Sequence, residues 1–306
     1  RVSLFTSFRL IAMLAYRHQF HAGNTADVFK HTLLTQLLLA LHKKETPFCY
    51  LDTHAGSALY DLHHAWAQKA QEHEKGIALV WQRDDAPAGL QPYLDCVRRD
   101  NPNGRLHWYP GSPRIARHFL RPRDRMVLSE LNVEDCAKLE AVFASEHQTS
   151  VRHMDAFAAL KMFVPPRERR GLVLIDSPFD RGQEFPRLVQ ALKQAHARWD
   201  TGMFALWYPL MHRGVMRRFE RLVGNSGVNK ILRTELALHA DTWTLTMRGC
   251  GMLIVNPPWQ FEKTIQPLLR WLWQALSPGG EGGVRVDWLA PEAPQSARHA
   301  KTRHST

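Results

Sequence analysis

Paired cysteines are missing from this sequence. Its four cysteines, Cys49, Cys96, Cys136 and Cys250, stand far apart with no Cys-x-x-Cys spacing. That argues against a disulfide framework and a structural zinc site and suits a reducing cytoplasm. Long apolar runs are missing too. The longest, Leu33 to Leu41, is broken by Thr35 and Gln36 and is too short to span a bilayer. Nor is there a glycine-rich turn after the first apolar run, where Asp52-Thr53-His54-Ala55-Gly56 offers one glycine and an aspartate. A nicotinamide-dinucleotide enzyme needs backbone N–H groups set against pyrophosphate, typically with three glycines, so that class is disfavoured. Acidic residues are in deficit: 29 Asp+Glu against 40 Lys+Arg give a formal charge of +11. Such an excess favours a polyanionic partner, because neutralised phosphates release counterions and attract the protein at long range.

What is present is an alternation of elements. Phe48–Leu51, Met126–Leu128, Leu172–Ile175, Met203–Tyr208 and Met252–Val255 are short apolar runs, each stopped by a polar or turn residue. Runs of this kind suit strands buried on both faces of a mainly parallel sheet. Val151–Met154 and Lys230–Leu236 are weaker strand candidates. Helical spacing fills Thr25–Lys43 and the segments 134–146, 184–198, 212–224 and 261–276, so the fold class is a doubly wound α/β domain. The last two strands, near 230–239 and 245–256, follow one another without a helix and predict a terminal antiparallel pair. The stretch 59–108 exceeds a simple crossover and predicts an inserted helical subdomain with helix-like pieces at 60–84 and 88–100. The main domain is then 13–58 with 109–290. Residues 1–12 precede Met13 and are expected to be an upstream extension, not a signal peptide. Residues 291–306 are polar, basic and aperiodic, and are expected to be disordered.

In an open α/β sheet, ligands bind beyond the carboxyl ends of the strands. Four acidic residues stand there in order: Asp52, Glu130, Asp155 and Asp176. Carboxylates repel a pyrophosphate but suit a cofactor with a sulfonium, an ammonium and ribose hydroxyls, which is S-adenosylmethionine. Asp52 and His54 are then placed near its methionine end, Glu130 at the ribose hydroxyls and Asp155 at the adenine amino group. The alternative for each is a cap on the following helix.

Asp176-Ser177-Pro178-Phe179 resembles the Asp/Asn-Pro-Pro-aromatic loop of amino-methyltransferases. The exocyclic nitrogen of adenine is a poor nucleophile, because its lone pair is delocalised into the ring. A carboxylate and a backbone carbonyl accepting from the NH₂ localise that lone pair and aim it at the methyl group. Asp176 can then take the surplus proton, and Phe179 stacks on the extruded base. Asn256-Pro257-Pro258-Trp259 matches the same consensus more literally. It ends the final predicted strand, away from the cofactor loops, and is read as a structural turn.

Tyr16, Arg17 and His18 open a segment rich in aromatic and polar groups and suit RNA contact, by base stacking and phosphate pairing. His18, His21 and His31 lack a carboxylate or cysteine to complete a zinc site, so no metal is expected. The segment Tyr16–His31, with Tyr50–Gly56, Tyr109–Pro113, Ala205–Pro209 and Asn256–Trp259, resembles the bacterial 23S ribosomal RNA (adenine(2030)-N6)-methyltransferase family from about Met13 to Glu292. The resemblance implies a Rossmann-like S-adenosylmethionine-dependent methyltransferase fold with an inserted helical subdomain, and a single methylation of one adenine in 23S rRNA. A cytoplasmic location is expected from the unpaired cysteines, and no obligate protein partner is evident in the sequence. The resemblance carries cofactor contacts onto Lys30, His54, Ser112, Glu130, Asp155 and Ala156, the catalytic acceptor onto Asp176, and an rRNA-contacting tyrosine onto Tyr16. The family loop resembles Asp-Pro-Pro-Tyr, so Ser177 and Phe179 depart from it: rigidity and a hydroxyl are lost while the carbonyl and stacking face remain. A catalytically impaired RNA-binding homologue and a DNA adenine-N6 methyltransferase stay open as alternatives.

Overall fold

A computed structural model describes residues 17–179, 184–243 and 247–291. The expectations for residues 1–12, Tyr16 and the tail from 292 onward lie outside the described residues. Eight strands form one sheet in the order β10-β8-β9-β7-β6-β1-β4-β5. They are β1 (Cys49–Asp52), β4 (Arg125–Glu130), β5 (Thr149–His153), β6 (Gly171–Ile175), β7 (Met203–Leu210), β8 (Ile231–Ala237), β9 (Gly249–Val255) and β10 (Gly283–Ala290). β5, β4, β1, β6 and β7 run parallel. The parallel strand β6 is the unbroken run Gly-Leu-Val-Leu-Ile, buried throughout, as a strand covered on both faces must be.

β9 runs antiparallel to both β7 and β8, which is the predicted pair. It is not terminal: β10 adds an antiparallel edge strand to β8. The sequence reading missed β10 because Val284-Arg285-Val286-Asp287 alternates apolar and charged residues on a half-exposed edge, unlike the apolar runs used to find the others.

Helices cover both faces. On one lie α1 (Thr25–His42) and α9 (Phe261–Leu276), where Leu33, Leu37 and Leu269 pack with Tyr50 and Leu172. On the other lie α7 (Phe185–Arg198) and α8 (Arg213–Gly224), where Leu188 and Phe219 pack with Leu51 and Val173. α1 is buried nearly all round. Most of its faces meet other elements: the sheet, α9 and the segment between β1 and β4.

That segment holds β2 (Leu59–Asp61) and β3 (Trp108–Pro110), paired antiparallel, with α2 (Ala65–Ala70) and α3 (Gln91–Asp100) between them. The helix expected over 60–84 is not formed. α2 ends at Gln71, which is left-handed at φ 52°, and two short 3₁₀ turns follow. The cause is docking of Gly76 against the loop before α1. Ile77 N donates to Gly23 O at 2.8 Å, and a Cβ on Gly76 would come within 2.1 Å of that same oxygen. Completing the chain are α4 (Ser112–His118), α5 (Val133–Val142) and α6 (Ala156–Phe163).

Candidate active site

After β1 the chain moves outward to β4 and β5 and then returns to β6 on the other side of β1. That reversal puts the topological switch point, where open α/β sheets bind ligands, between β1 and β6. Asp52 lies in register with Leu174, so the loops after both strands open into one place. A cavity of ≈ 460 Å³ occupies it, lined by residues from α1, the loops after β1, β4, β6 and β7, and the start of α6.

The acidic positions differ in what they face. Glu130 lines the cavity. Its Oε2 accepts from Gly56 N at 2.8 Å and its Oε1 from Asn132 N at 2.7 Å. Burial pushes its pKa up despite those bonds. Asp52 does not reach the cavity. Fully buried, it accepts from Ser112 Oγ at 2.6 Å, Tyr50 OH at 2.7 Å and His54 N at 3.2 Å, and burial raises its pKa. It braces Ser112 and His54, which do line the cavity. Asp155 caps α6, its Oδ1 accepting from Phe157 N at 2.8 Å and Ala158 N at 3.0 Å, while the adjacent Ala156 borders the cavity. His54 pairs through Nδ1 with Thr53 Oγ1 at 2.9 Å. Burial drops its pKa to about 4, so it is neutral near pH 7.

The β6 loop forms another wall. Asp176, Ser177, Pro178 and Phe179 all line the cavity. Asp176 Oδ2 receives Lys30 Nζ at 2.5 Å, and the same ammonium lies 2.8 Å from Asp27 Oδ1. Asp27 Oδ2 in turn pairs with His18 Nε2 at 2.9 Å and accepts from Gly23 N at 2.9 Å. Burial opposes charge on Asp27, but the charges of His18 and Lys30 outweigh it and hold its carboxyl well below the usual range. Burial likewise disfavours charge on Lys30, and Asp176 and Asp27 outweigh it and hold the ammonium protonated. Phe179 is half-buried, 5.0 Å from the ring of Phe185 and 5.7 Å from Trp207.

Arg17 and His18 face inward partners. Arg17 donates to Asn132 Oδ1 at 3.1 Å and pairs with Glu134 at 2.9 Å, and His18 lines the cavity. Sequence reasoning missed Asp27, Asn132 and Trp207. The Asp27-x-x-Lys30 spacing on a helix was a usable signal for the first, since residues three apart are neighbours there. His31, considered only as a metal ligand, is buried with Nδ1 2.7 Å from Tyr109 OH. Among the described residues no group of His, Cys, Asp and Glu is placed to hold a metal.

Asn256 stands at the opposite edge of the sheet. β9 runs against β7, and Val255 pairs with Phe204 near the start of β7, so Asn256 follows at the amino ends of the parallel strands. Its amide donates to Asp200 O at 2.7 Å and Gly202 O at 2.8 Å.

The cavity's donor set can be tested against the implied cofactor. Its lining carries the carboxylates of Asp27, Glu72, Glu130, Asp135 and Asp176 against the single lysine Lys30. That balance repels a diphosphate and accommodates a sulfonium. Glu130 keeps lone pairs for two ribose hydroxyls, since each oxygen accepts one backbone N–H. Gly56 is left-handed at φ 61°, and a Cβ there would meet Tyr60 OH at 2.2 Å. The residues fit S-adenosylmethionine.

Comparison with known proteins bears on the same site. Residues 45–290 match the family model described as ribosomal RNA large subunit methyltransferase D, RlmJ. Ribosomal RNA large subunit methyltransferase J of Escherichia coli (strain K12) is 41% identical over 280 residues, 92% of this chain and 100% of that protein. The protein of the same name from Haemophilus influenzae is 38% identical over 281 residues, with 92% and 100% covered. A crystal structure of a Legionella pneumophila protein superposes with a TM-score of 0.81 at 34% identity, covering 88% of this chain and 98% of that one. No helix among the described residues is long and apolar enough to cross a membrane.

Proposed function

This chain belongs to the ribosomal RNA large subunit methyltransferase J family and is an S-adenosylmethionine-dependent rRNA methyltransferase, and from that premise we propose that it methylates the N6 amino group of adenine 2030 in 23S rRNA, in the cytoplasm, on protein-free or partly assembled rRNA. The observation that carries the reading is the placement of Asp176 in the wall of the cavity at the switch point, beside the cofactor-type donor set.

S-adenosylmethionine supplies an electrophilic methyl group. The chain's own residues hold and aim the nucleophile. Lys30 fixes one oxygen of Asp176, which leaves Oδ1 to accept from the adenine NH₂. The Ser177 carbonyl accepts the second N–H, so the nitrogen lone pair is localised and pointed at the methyl carbon. Phe179, backed by Trp207 and Phe185, offers a ring face for the extruded base. Transfer would form the N–C bond as the methyl–sulfur bond breaks, its electron pair staying on sulfur as a neutral thioether. The positive charge passes to the nitrogen, whose surplus proton then leaves to Asp176. Glu130, Ser112, His54 and Lys30 hold the donor, with Ala156 and the Asp155 cap shaping its adenine end. Tyr16 is assigned to rRNA contact on the family resemblance alone, whereas Arg17 and His18 are engaged by Asn132, Glu134 and Asp27.

The test is transfer from labelled S-adenosylmethionine to protein-free 23S rRNA, followed by mapping of the methylated nucleotide. Label on N6 of adenine 2030, absent with Asp176→Ala, is the expected result. Label no higher than that variant's, or label on duplex DNA in place of rRNA, overturns the proposal.

A further inference from the structure

The cavity is lined by acids, yet the surface leading out of it is not. Pro209 and Met211 border the cavity, and α8 begins two residues later at Arg213. Arg213, Arg217, Arg218 and Arg221 are all exposed on this helix. Arg213, Arg217 and Arg221 recur at i, i+4 and i+8, so they stand along one face at steps of about 6 Å. None of the four guanidinium groups has an ion-pair or hydrogen-bond partner among the described residues. The helix's only acid, Glu220, is taken by Arg233 at 2.5 Å, which also holds Asp287 at 2.7 Å. Beside the row lies a shallow depression lined by Gly214, Arg217, Glu220 and Arg221.

Like charges at this helical spacing repel, so the row is unfavourable until an anion meets it. A guanidinium matches phosphate with paired donors. We propose that this face of α8 carries the phosphate backbone of the rRNA strand that flanks the target nucleotide and leads it into the cavity. The inference rests on the rRNA reading above and extends it to a surface. The Met211–Arg213 junction joins the row to the cavity wall, so a strand lying on α8 reaches the Asp176 loop without crossing an acidic patch of that helix.

The test compares two charge reversals of equal size. Arg217→Glu/Arg221→Glu changes α8, while Lys263→Glu/Arg270→Glu changes exposed positions of α9 on the other face of the sheet. Equilibrium binding of a protein-free 23S rRNA fragment is measured across a range of KCl concentrations, together with S-adenosylmethionine affinity. The α8 pair is expected to bind rRNA roughly tenfold or more weakly at low salt, with a log–log salt slope shallower by about 0.7–0.9 per lost phosphate contact. The α9 pair is expected to stay near wild type, and cofactor affinity to hold in both. Arg217→Gln/Arg221→Gln repeats the measurement should the reversal fail to fold. An unchanged slope in the α8 variants, or equal weakening by the α9 pair, overturns the surface. Binding is read without turnover, so the two readings fail separately. Wild type that binds but transfers no methyl group refutes only the proposed reaction, and wild type that methylates beside an α8 variant that binds normally refutes only the surface.

Discussion

Lys30 and Asp176, 146 residues apart in sequence, meet at 2.5 Å in the wall of the cavity, and the same ammonium lies 2.8 Å from Asp27. Lys30 is 5% exposed and Asp27 1%. An ammonium so buried is tolerable because two carboxylates surround it, and removing either partner leaves charge uncompensated. The α1 helix thereby fixes the Asp176 loop, the proposed acceptor, through Lys30.

Asp27→Asn therefore acts at a distance. Asparagine keeps the volume but loses the charge that balances Lys30, so the ammonium is no longer anchored. Stability is expected to fall by about 1–3 kcal/mol, and methyl transfer to fall with it, although Asp27 does not touch the acceptor loop. Thermal melts and single-turnover transfer check this. Full activity would show that Lys30 needs no second anion.

Buried His31 and partly buried His54 give stability a pH slope. His54 is held neutral down to about 4 by burial, and burial pushes His31 well down as well. The unfolded chain takes up these protons near pH 6.5, while the folded chain refuses them until lower pH. Lowering the pH through the window from 6.5 toward 4 thus favours unfolding, by at most about 1.4 kcal/mol per pH unit per histidine. His54→Asn should flatten the slope of unfolding free energy against pH by nearly one proton in urea titrations between pH 7 and 5. A slope that does not change would mean that His54 is protonated in the fold.

Phe179 separates stacking from cofactor binding. Phe179→Ala removes the ring face beside Trp207, and base–aromatic stacking contributes about 1–3 kcal/mol. kcat/KM for rRNA is expected to fall by roughly 10- to 100-fold, with S-adenosylmethionine affinity unchanged. Phe179→Tyr should stay close to wild type. Equal losses in cofactor affinity and kcat/KM would place the ring against the cofactor instead.

Glu130→Gln tests the ribose side. The carboxylate accepts backbone N–H groups from both Gly56 and Asn132, but an amide has one acceptor oxygen, and its NH₂ would face a backbone donor. Cofactor affinity measured by calorimetry is expected to drop at least tenfold, as both loops lose their shared anchor. Wild-type affinity in this variant would remove Glu130 from the cofactor site.

The central parallel strands were legible because burial on both faces leaves apolar runs that end at the ligand edge, as Leu172–Ile175 before Asp176 shows. The parallel edge strand β5, Thr-Ser-Val-Arg-His and partly exposed, left only a weaker signal. β10 was not legible, because an edge strand alternates. The broken helix over 60–84 was not, because what breaks it is contact with Gly23, which local sequence does not encode. The same holds within the cavity. Strand-end residues such as Glu130 could be placed by position alone. The partnership of Asp27, Lys30 and Asp176 depends on how α1 lies across the sheet, and only the packed structure gives that.

The more literal motif, Asn256-Pro257-Pro258-Trp259, gives the sharpest contrast with the Asp176 loop. Asn256 is left-handed at φ 52° and ties the loop at Asp200 and Gly202 through its amide. It sits at the amino ends of the parallel strands, across the sheet from the cavity. Asn256→Ala loses both hydrogen bonds and puts a less tolerant residue in a strained conformation, at a cost of about 1–3 kcal/mol. The variant should melt lower, yet at a temperature where it stays folded it should transfer methyl groups within about twofold of wild type. Asp176→Ala should also melt lower, because it leaves the buried Lys30 ammonium with Asp27 alone, but its transfer should be lost even at a temperature where it stays folded. If the folded Asn256→Ala protein transferred nothing, strand order would be a poor guide to which of the two loops holds the adenine.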